Sequence, residues 1–229
     1  MKAKALITIS SFLLLIFSCK KENADVVYGA TYMKSATQTL SEIRYYSRNG
    51  NIDIKSIPAI WIDNDTARFN FLTTSIRTPG FLDSLKFINS QEAISKYYNS
   101  ETKYTMEKTG SRMILTEKNI IGYHSTYADE YTKSPQYYLL QYKPEVFDEW
   151  IISSIRGAYL FGYSTKQKVV VEINGDKLFL PIIYYQQHRN GQTINSSYLN
   201  NNLQKDFYKN IMAGDTIAVM EARLIYMQK

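Results

Sequence analysis

The chain has 229 residues, with 27 Lys and Arg against 21 Asp and Glu, a single Cys, and 45% apolar side chains of which the aromatics form a large part. That is too apolar for a disordered chain, and the small positive charge contains no Lys/Arg cluster of the kind a nucleic-acid partner requires. One Cys excludes a disulfide within the chain, and about 210 residues beyond the N-terminal segment set an expectation of one sizeable core.

The first eighteen residues read as a secretory signal. Lys2 and Lys4 give a positive start, and the apolar run from Ala5 to Phe17 follows. Thirteen residues fall short of the roughly 20 that a membrane-spanning helix needs. The run ends in Ile16-Phe17-Ser18-Cys19, which resembles the lipobox of bacterial lipoproteins: an aliphatic residue at minus three, a small residue at minus one, then the cysteine. Phe17 is bulkier than the usual residue at minus two. The resemblance implies cleavage after Ser18 and diacylglycerol on Cys19, an anchor of several acyl chains that holds more firmly than a single one. It also implies a place in the cell envelope, on the outer membrane of a Gram-negative cell, facing the periplasm or the surface. Loss of residues 1–18 removes two lysines and leaves 25 cations against 21 anions. Residues 19–25 form a short polar tether of about 20 Å reach, and Lys20, Lys21 and Glu22 are similar to surface-export signals of some lipoproteins.

From Val26 to Lys229 the expectation is one β-rich domain. Val27 to Met33 and Ile43 to Ser47 alternate as strands, with Arg48-Asn49-Gly50 as a turn. Ile54 to Ile62 fits a short helix beginning near Pro58 or an extended connection. Arg68 to Thr73 and Leu85 to Ile88 read as strands about a Thr78-Pro79-Gly80 turn. Ser90 to Tyr98 fits a capped helix. Lys103 to Glu107, Arg112 to Thr116, Ile120 to His124 and Gln136 to Tyr142 form a meander. A helix is predicted over Pro144 to Gly157, where Phe147, Trp150, Ile151, Ser154 and Ile155 share one face. The strands Lys168 to Ile173 and Lys177 to Tyr185 make a hairpin about Asn174-Gly175, with a further turn at Asn190-Gly191. Leu199, Leu203, Phe207 and Ile211 predict a second helix within Ser197 to Gly214, before a last strand from Thr216 to Tyr226. The result is an α+β fold of antiparallel strands, as an open sheet or a barrel, with about two covering helices. Tyr28-Gly29-Ala30-Thr31-Tyr32 is similar, over those few residues, to the first strand of lipocalin-like lipoproteins. Their Gly-x-Trp has no Trp here, and Tyr32 stands one position late.

Chemistry-bearing constellations are sparse. His124 and His188 have no second ligand at helical spacing, so no metal is expected, and no cofactor motif is present. Ser100-Glu101-Thr102-Lys103 and Lys108-Thr109-Gly110 match two motifs of penicillin-binding proteins but lie side by side, with no room for the helical domain between them. Asp63-Asn64-Asp65 begins like a calcium loop and lacks its glycine and distal glutamate, and so reads as a solvated turn. Asp148-Glu149, adjacent on the predicted helix, form no catalytic pair, and Asp129-Glu130 lies in a polar loop and reads equally as a solvated turn. What remains is aromatic: twenty tyrosines, including the adjacent pairs Tyr45-Tyr46, Tyr97-Tyr98, Tyr137-Tyr138 and Tyr184-Tyr185. On a strand each pair sends one ring to either face. The expected role is non-catalytic binding or docking in the envelope, to a glycan, peptide, protein or small ligand, with Tyr184, Tyr185 and His188 on the contact surface. A structural subunit of an envelope complex is the second class and a hydrolase the third.

Overall fold

The computed structural model describes residues 26–74, 82–98, 100–119, 122–124, 134–143, 145–155 and 158–229. Cys19, Ser18, the tether, the Thr78-Pro79-Gly80 turn and Asp129-Glu130 lie outside them.

The centre is an antiparallel barrel of eight strands. In ring order these are β1 (Thr31–Thr39), β4 (Ser84–Phe87), β5 (Glu92–Tyr97), β6 (Ser100–Thr109), β7 (Arg112–Glu117), β10 (Ala158–Asn174), β11 (Lys177–Arg189) and β13 (Asp215–Gln228). Each pairs with the next in this order, and β13 returns to β1. The connectivity is that of an up-and-down barrel, which leaves no free edge around the ring. Period-2 alternation fills it: Met113 and Leu115 of β7, Val169 and Val171 of β10, and Leu224 and Tyr226 of β13 all belong to one buried cluster. Tyr226 donates its hydroxyl to the Leu82 carbonyl at 2.5 Å, which satisfies a fully buried phenol of that cluster.

Two strands outrun the barrel. The β11–β13 ladder continues from Lys177↔Met227 to Arg189↔Asp215, whereas β10 holds β11 only at residues 177–179. Beyond that point β12 (Gln192–Asn200) takes the β11 edge, and β2 (Arg44–Ser47) with β3 (Gly50–Ile52) takes the β13 edge. Asn190 and Gly191, at φ 49° and 80°, form the tight turn from β11 to β12. Asn174-Gly175 likewise closes the β10–β11 hairpin as expected, with Gly175 at φ 65°. The other long strand, β10, carries β8 (Gly122–His124) and β9 (Glu145–Ile155) on its first half.

The helices differ from expectation. Residues 145–155 are strand β9, not a helix: the stretch is dense in β-branched and aromatic residues, and its cross-strand partner on β10 follows immediately, with Ile155 paired to Ala158. Residues 197–214 are no helix either. The β12 strand runs to Asn200, and only the 3-10 turn Phe207–Asn210 follows. Asn200, Asn201 and Asn202 divert the chain, because their amides hydrogen-bond backbone groups of Val170, Pro181 and Tyr142 and the Glu172 carboxylate, and Asp206 at φ 64° stops regular winding. Residues 92–97 are strand β5, where a helix was expected from Ser90, and the strand expected at 136–142 is instead a helical turn, Pro135–Tyr138. Among the described residues the one long helix is α1 (Ala59–Thr74), which absorbs the strand expected at 68–73. Pro58 opens it, accepting at its carbonyl from the Trp61 and Ile62 amides. No helix among the described residues is long and apolar enough to cross a membrane.

Candidate functional site

Where β11 leaves β10, the barrel wall parts. Asn200 bridges the opening: its Oδ1 accepts from the Val170 amide at 2.6 Å, and its Nδ2 donates to the Val170 and Pro181 carbonyls at 3.3 and 3.0 Å. Pro181 has no amide to continue a ladder there, so a side chain supplies the missing link. Behind this bridge lies a cavity of about 420 Å³ between the ends of β5, β6, β7 and β10 and the last residues of β12. That volume falls within the range of pockets for small organic ligands.

The lining divides by chemistry. Leu82, Leu140, Val169 and Leu180 are aliphatic, and Tyr97, Tyr104 and Tyr198 present three phenols. Ser95, Tyr104 and Glu117 form a polar wall. Ser95 Oγ donates to Tyr104 Oη at 3.2 Å with both side chains buried. Burial pushes the Tyr104 phenol up to about 12, opposed by the Ser95 hydrogen bond and reinforced by the charge of Glu117. Glu117 is the last residue of β7 and follows Met113 and Leu115 on the inward face. It is 8% exposed, and burial raises its carboxyl above the ordinary glutamate range. Among the described residues it has neither a hydrogen-bond nor an ion-pair partner. Lys168 also lines the cavity, but it is paired with Thr116 across β10 and β7, so alternation turns its side chain to the face opposite Glu117.

A second polar cluster sits at the far end of the β11–β13 ribbon. Trp61 and Asp65, four residues apart, lie on one face of α1. The His188 ring stacks on Trp61 at 4.6 Å and 9° between planes, and its Nε2–H donates to Asp65 Oδ2 at 3.0 Å. In the neutral ring, Nδ1 accepts the hydroxyl of Thr193 at 3.2 Å. The Tyr45 hydroxyl lies near the same carboxylate without closing a hydrogen bond. Burial first, and the Asp65 carboxylate second, raise that phenol far above its usual range. His188 is 1% and Asp65 0% exposed. A hydroxyl, an imidazole and a carboxylate in series are the parts of an acyl-transfer relay. Neither His188 nor Asp65 lines the cavity, and the arrangement fastens α1 to β11.

The residues singled out from sequence are placed as follows. Tyr184 and Tyr185 do point to opposite faces, one into the barrel-side cluster and one into a second core with Phe207, Ile211 and Ile217. Both are fully buried, as is His188, so the contact surface expected on β11 is interior. Every residue from Leu178 to His188 is covered, because α1 and the barrel occupy one face and residues 138–140 with Phe207 and Ile211 the other. Asp65 belongs to α1 and is buried, not part of a solvated turn, while Asp63 and Asn64 are exposed. Ser100 and Thr102 lie on the β6 hairpin strand and line the cavity. Of His124 the backbone is described, on β8. Glu117 carried no sequence signal beyond being a charge at an inward position of an alternating strand.

Against known proteins the chain matches no family model, no curated protein and no solved structure. The geometry of the two clusters is therefore what bears on function.

Proposed function

We propose that this chain is a non-catalytic binding lipoprotein of the cell envelope, anchored through Cys19 and holding a small organic ligand in the barrel cavity behind Asn200. The observation that carries the reading is the cavity itself, about 420 Å³ with aliphatic, aromatic and polar groups converging on it. Eight-stranded barrels have an interior wide enough either to be filled by side chains or to hold one small molecule, and here one end is left unfilled. The lipobox resemblance supplies the anchor. Radiolabelled palmitate should enter the wild type and not Cys19→Ser, and equal labelling of both would remove the anchor from the proposal.

The binding half is tested with the full chain in lipid nanodiscs, titrated calorimetrically with 4-phenylbutanol against empty nanodiscs. One equivalent should bind. Thr102→Trp, which puts an indole into the cavity from a half-buried position, should abolish it without lowering the melting temperature by more than about 3 °C. Binding unaffected by Thr102→Trp places the ligand elsewhere.

A hydrolase reading has one observation in its favour, the Thr193–His188–Asp65 series. It requires turnover of an activated ester that Thr193→Val removes. The binding reading expects none.

A further inference from the structure

The cavity wall carries a feature that narrows the ligand beyond small and organic. An inward carboxyl, nine-tenths buried and without a partner among the described residues, is costly to keep in an apolar barrel. Leu or Met at that β7 position would continue the pattern of Met113 and Leu115. The neighbouring groups do not relieve it: Ser95 is already bonded to Tyr104, and alternation directs Lys168 to the opposite face. Around the same space stand Tyr97, Tyr104 and Tyr198, whose ring faces are electron-rich. A carboxylate among phenol rings is complementary to one chemical class, a cation with an apolar surface, which the rings attract through their quadrupoles and the carboxylate by charge-assisted hydrogen bonding.

Resting on the binding reading above, we infer that the cavity ligand is a small organic ammonium compound, its cationic nitrogen set against Glu117 and the three tyrosines and its apolar body against Val169 and Leu180. An anionic ligand is opposed by the same carboxylate. A neutral ligand can at most donate a hydrogen bond to it and leaves its charge uncompensated.

The test compares 4-phenylbutylamine, protonated at neutral pH, with the near-isosteric 4-phenylbutanol, by calorimetry on the full chain in nanodiscs with empty nanodiscs subtracted. The amine should bind at least about tenfold more tightly, a gap of about 1.4 kcal/mol. Glu117→Gln should erase most of that preference by weakening the amine while leaving the alcohol within about twofold, and Tyr97→Leu should narrow it by a smaller factor. The Gln variant keeps the shape of Glu, and an unchanged far-ultraviolet circular dichroism spectrum is its control for folding. Equal affinities for amine and alcohol in the wild type, or a preference that survives Glu117→Gln, would overturn the ammonium assignment and leave the cavity reading standing. Failure of both compounds to bind the wild type overturns the cavity reading itself.

Discussion

The β11–β13 ribbon and the open end of the barrel both bury charged groups, and they treat them in opposite ways. Around the ribbon each buried carboxylate has a partner: Asp65 of α1 takes the His188 imidazole through Oδ2 at 3.0 Å, its Oδ1 having no hydrogen bond, and Asp215 takes Arg189 at 2.5 and 2.7 Å and Gln187 at 2.6 Å. At the barrel end Glu117 has none among the described residues. A buried charge with a partner holds structure together, whereas one without a partner is a cost that some other role must offset. The contrast separates a carboxylate that ties elements of the fold together from one that, on the proposal above, meets a ligand.

Asp65 carries the largest expected effect. Removing it strips His188 of its acceptor and releases α1 from β11, so Asp65→Ala should cost about 3–5 kcal/mol in urea unfolding. A loss under about 1 kcal/mol would make the Trp61–His188–Asp65 cluster incidental to the fold. Phe207 tests the opposite face of the ribbon. Its ring is 3% exposed and meets Tyr46 edge-on at 4.7 Å, so Phe207→Ala should cost about 3–5 kcal/mol even though the helix expected around it is absent. Changes below about 0.5 kcal/mol would put the ring outside the core.

That result bears on what could be read from the residues alone. The strands were legible where alternation and Asn-Gly turns coincide, as in β10–β11, because period 2 and positive φ both have local causes. The helices were not. Residues 145–155 have apolar side chains at helical spacings and also the β-branched content of a strand, and pairing with the adjacent β10 decides between them. The α1 helix hides for the opposite reason: Ile60 and Phe71 face solvent while Asp65 faces inward, so little amphipathic pattern remains. Tyr184 and Tyr185 were assigned to opposite faces correctly, but burial of both depends on elements from distant parts of the chain. The cavity depends on β11 leaving β10 beyond Phe179, a register event with no local signature except Pro181.

Asp215 makes the paired end of the molecule sensitive to pH. Hydrogen bonding from Arg189 is the main cause that holds its carboxyl below the ordinary aspartate range, with Gln187 adding to it against the cost of burial. A depressed folded pKa means stability that is present above the unfolded value near 3.8 and lost as pH falls through the folded one. Asp215→Asn should therefore destabilise by about 1.5–3 kcal/mol at pH 7. Measured by urea unfolding from pH 7 down to pH 3, the gap to wild type should narrow in the acid part of that range. A gap independent of pH would mean that shape, not charge, is what Asp215 contributes.

Glu117 gives the smallest effect and the opposite sign. Burial raises its folded pKa above the unfolded value of about 4.5, so the native state binds the proton more tightly than the unfolded chain does. Protonation then favours folding. The associated stability is fully present below about pH 4.5 and is lost as pH rises through the folded pKa, which leaves the wild type carrying a penalty at neutral pH. Glu117→Gln removes the charge and keeps the shape. It should raise the melting temperature by about 2–4 °C at pH 7, the shift that 1 kcal/mol produces in a chain of this length, and by nothing at pH 4. Glu117→Gln should thus merge with wild type from above by about pH 4.5, whereas Asp215→Asn approaches it from below only as pH falls under about 3.8. Because the amine is expected to bind the wild type about tenfold more tightly than the Gln variant, saturating 4-phenylbutylamine should cancel most of the advantage of Glu117→Gln at pH 7. A Gln variant less stable than wild type at neutral pH without ligand would show that Glu117 has a structural partner after all, and the distinction between the two ends of the molecule would fall with it.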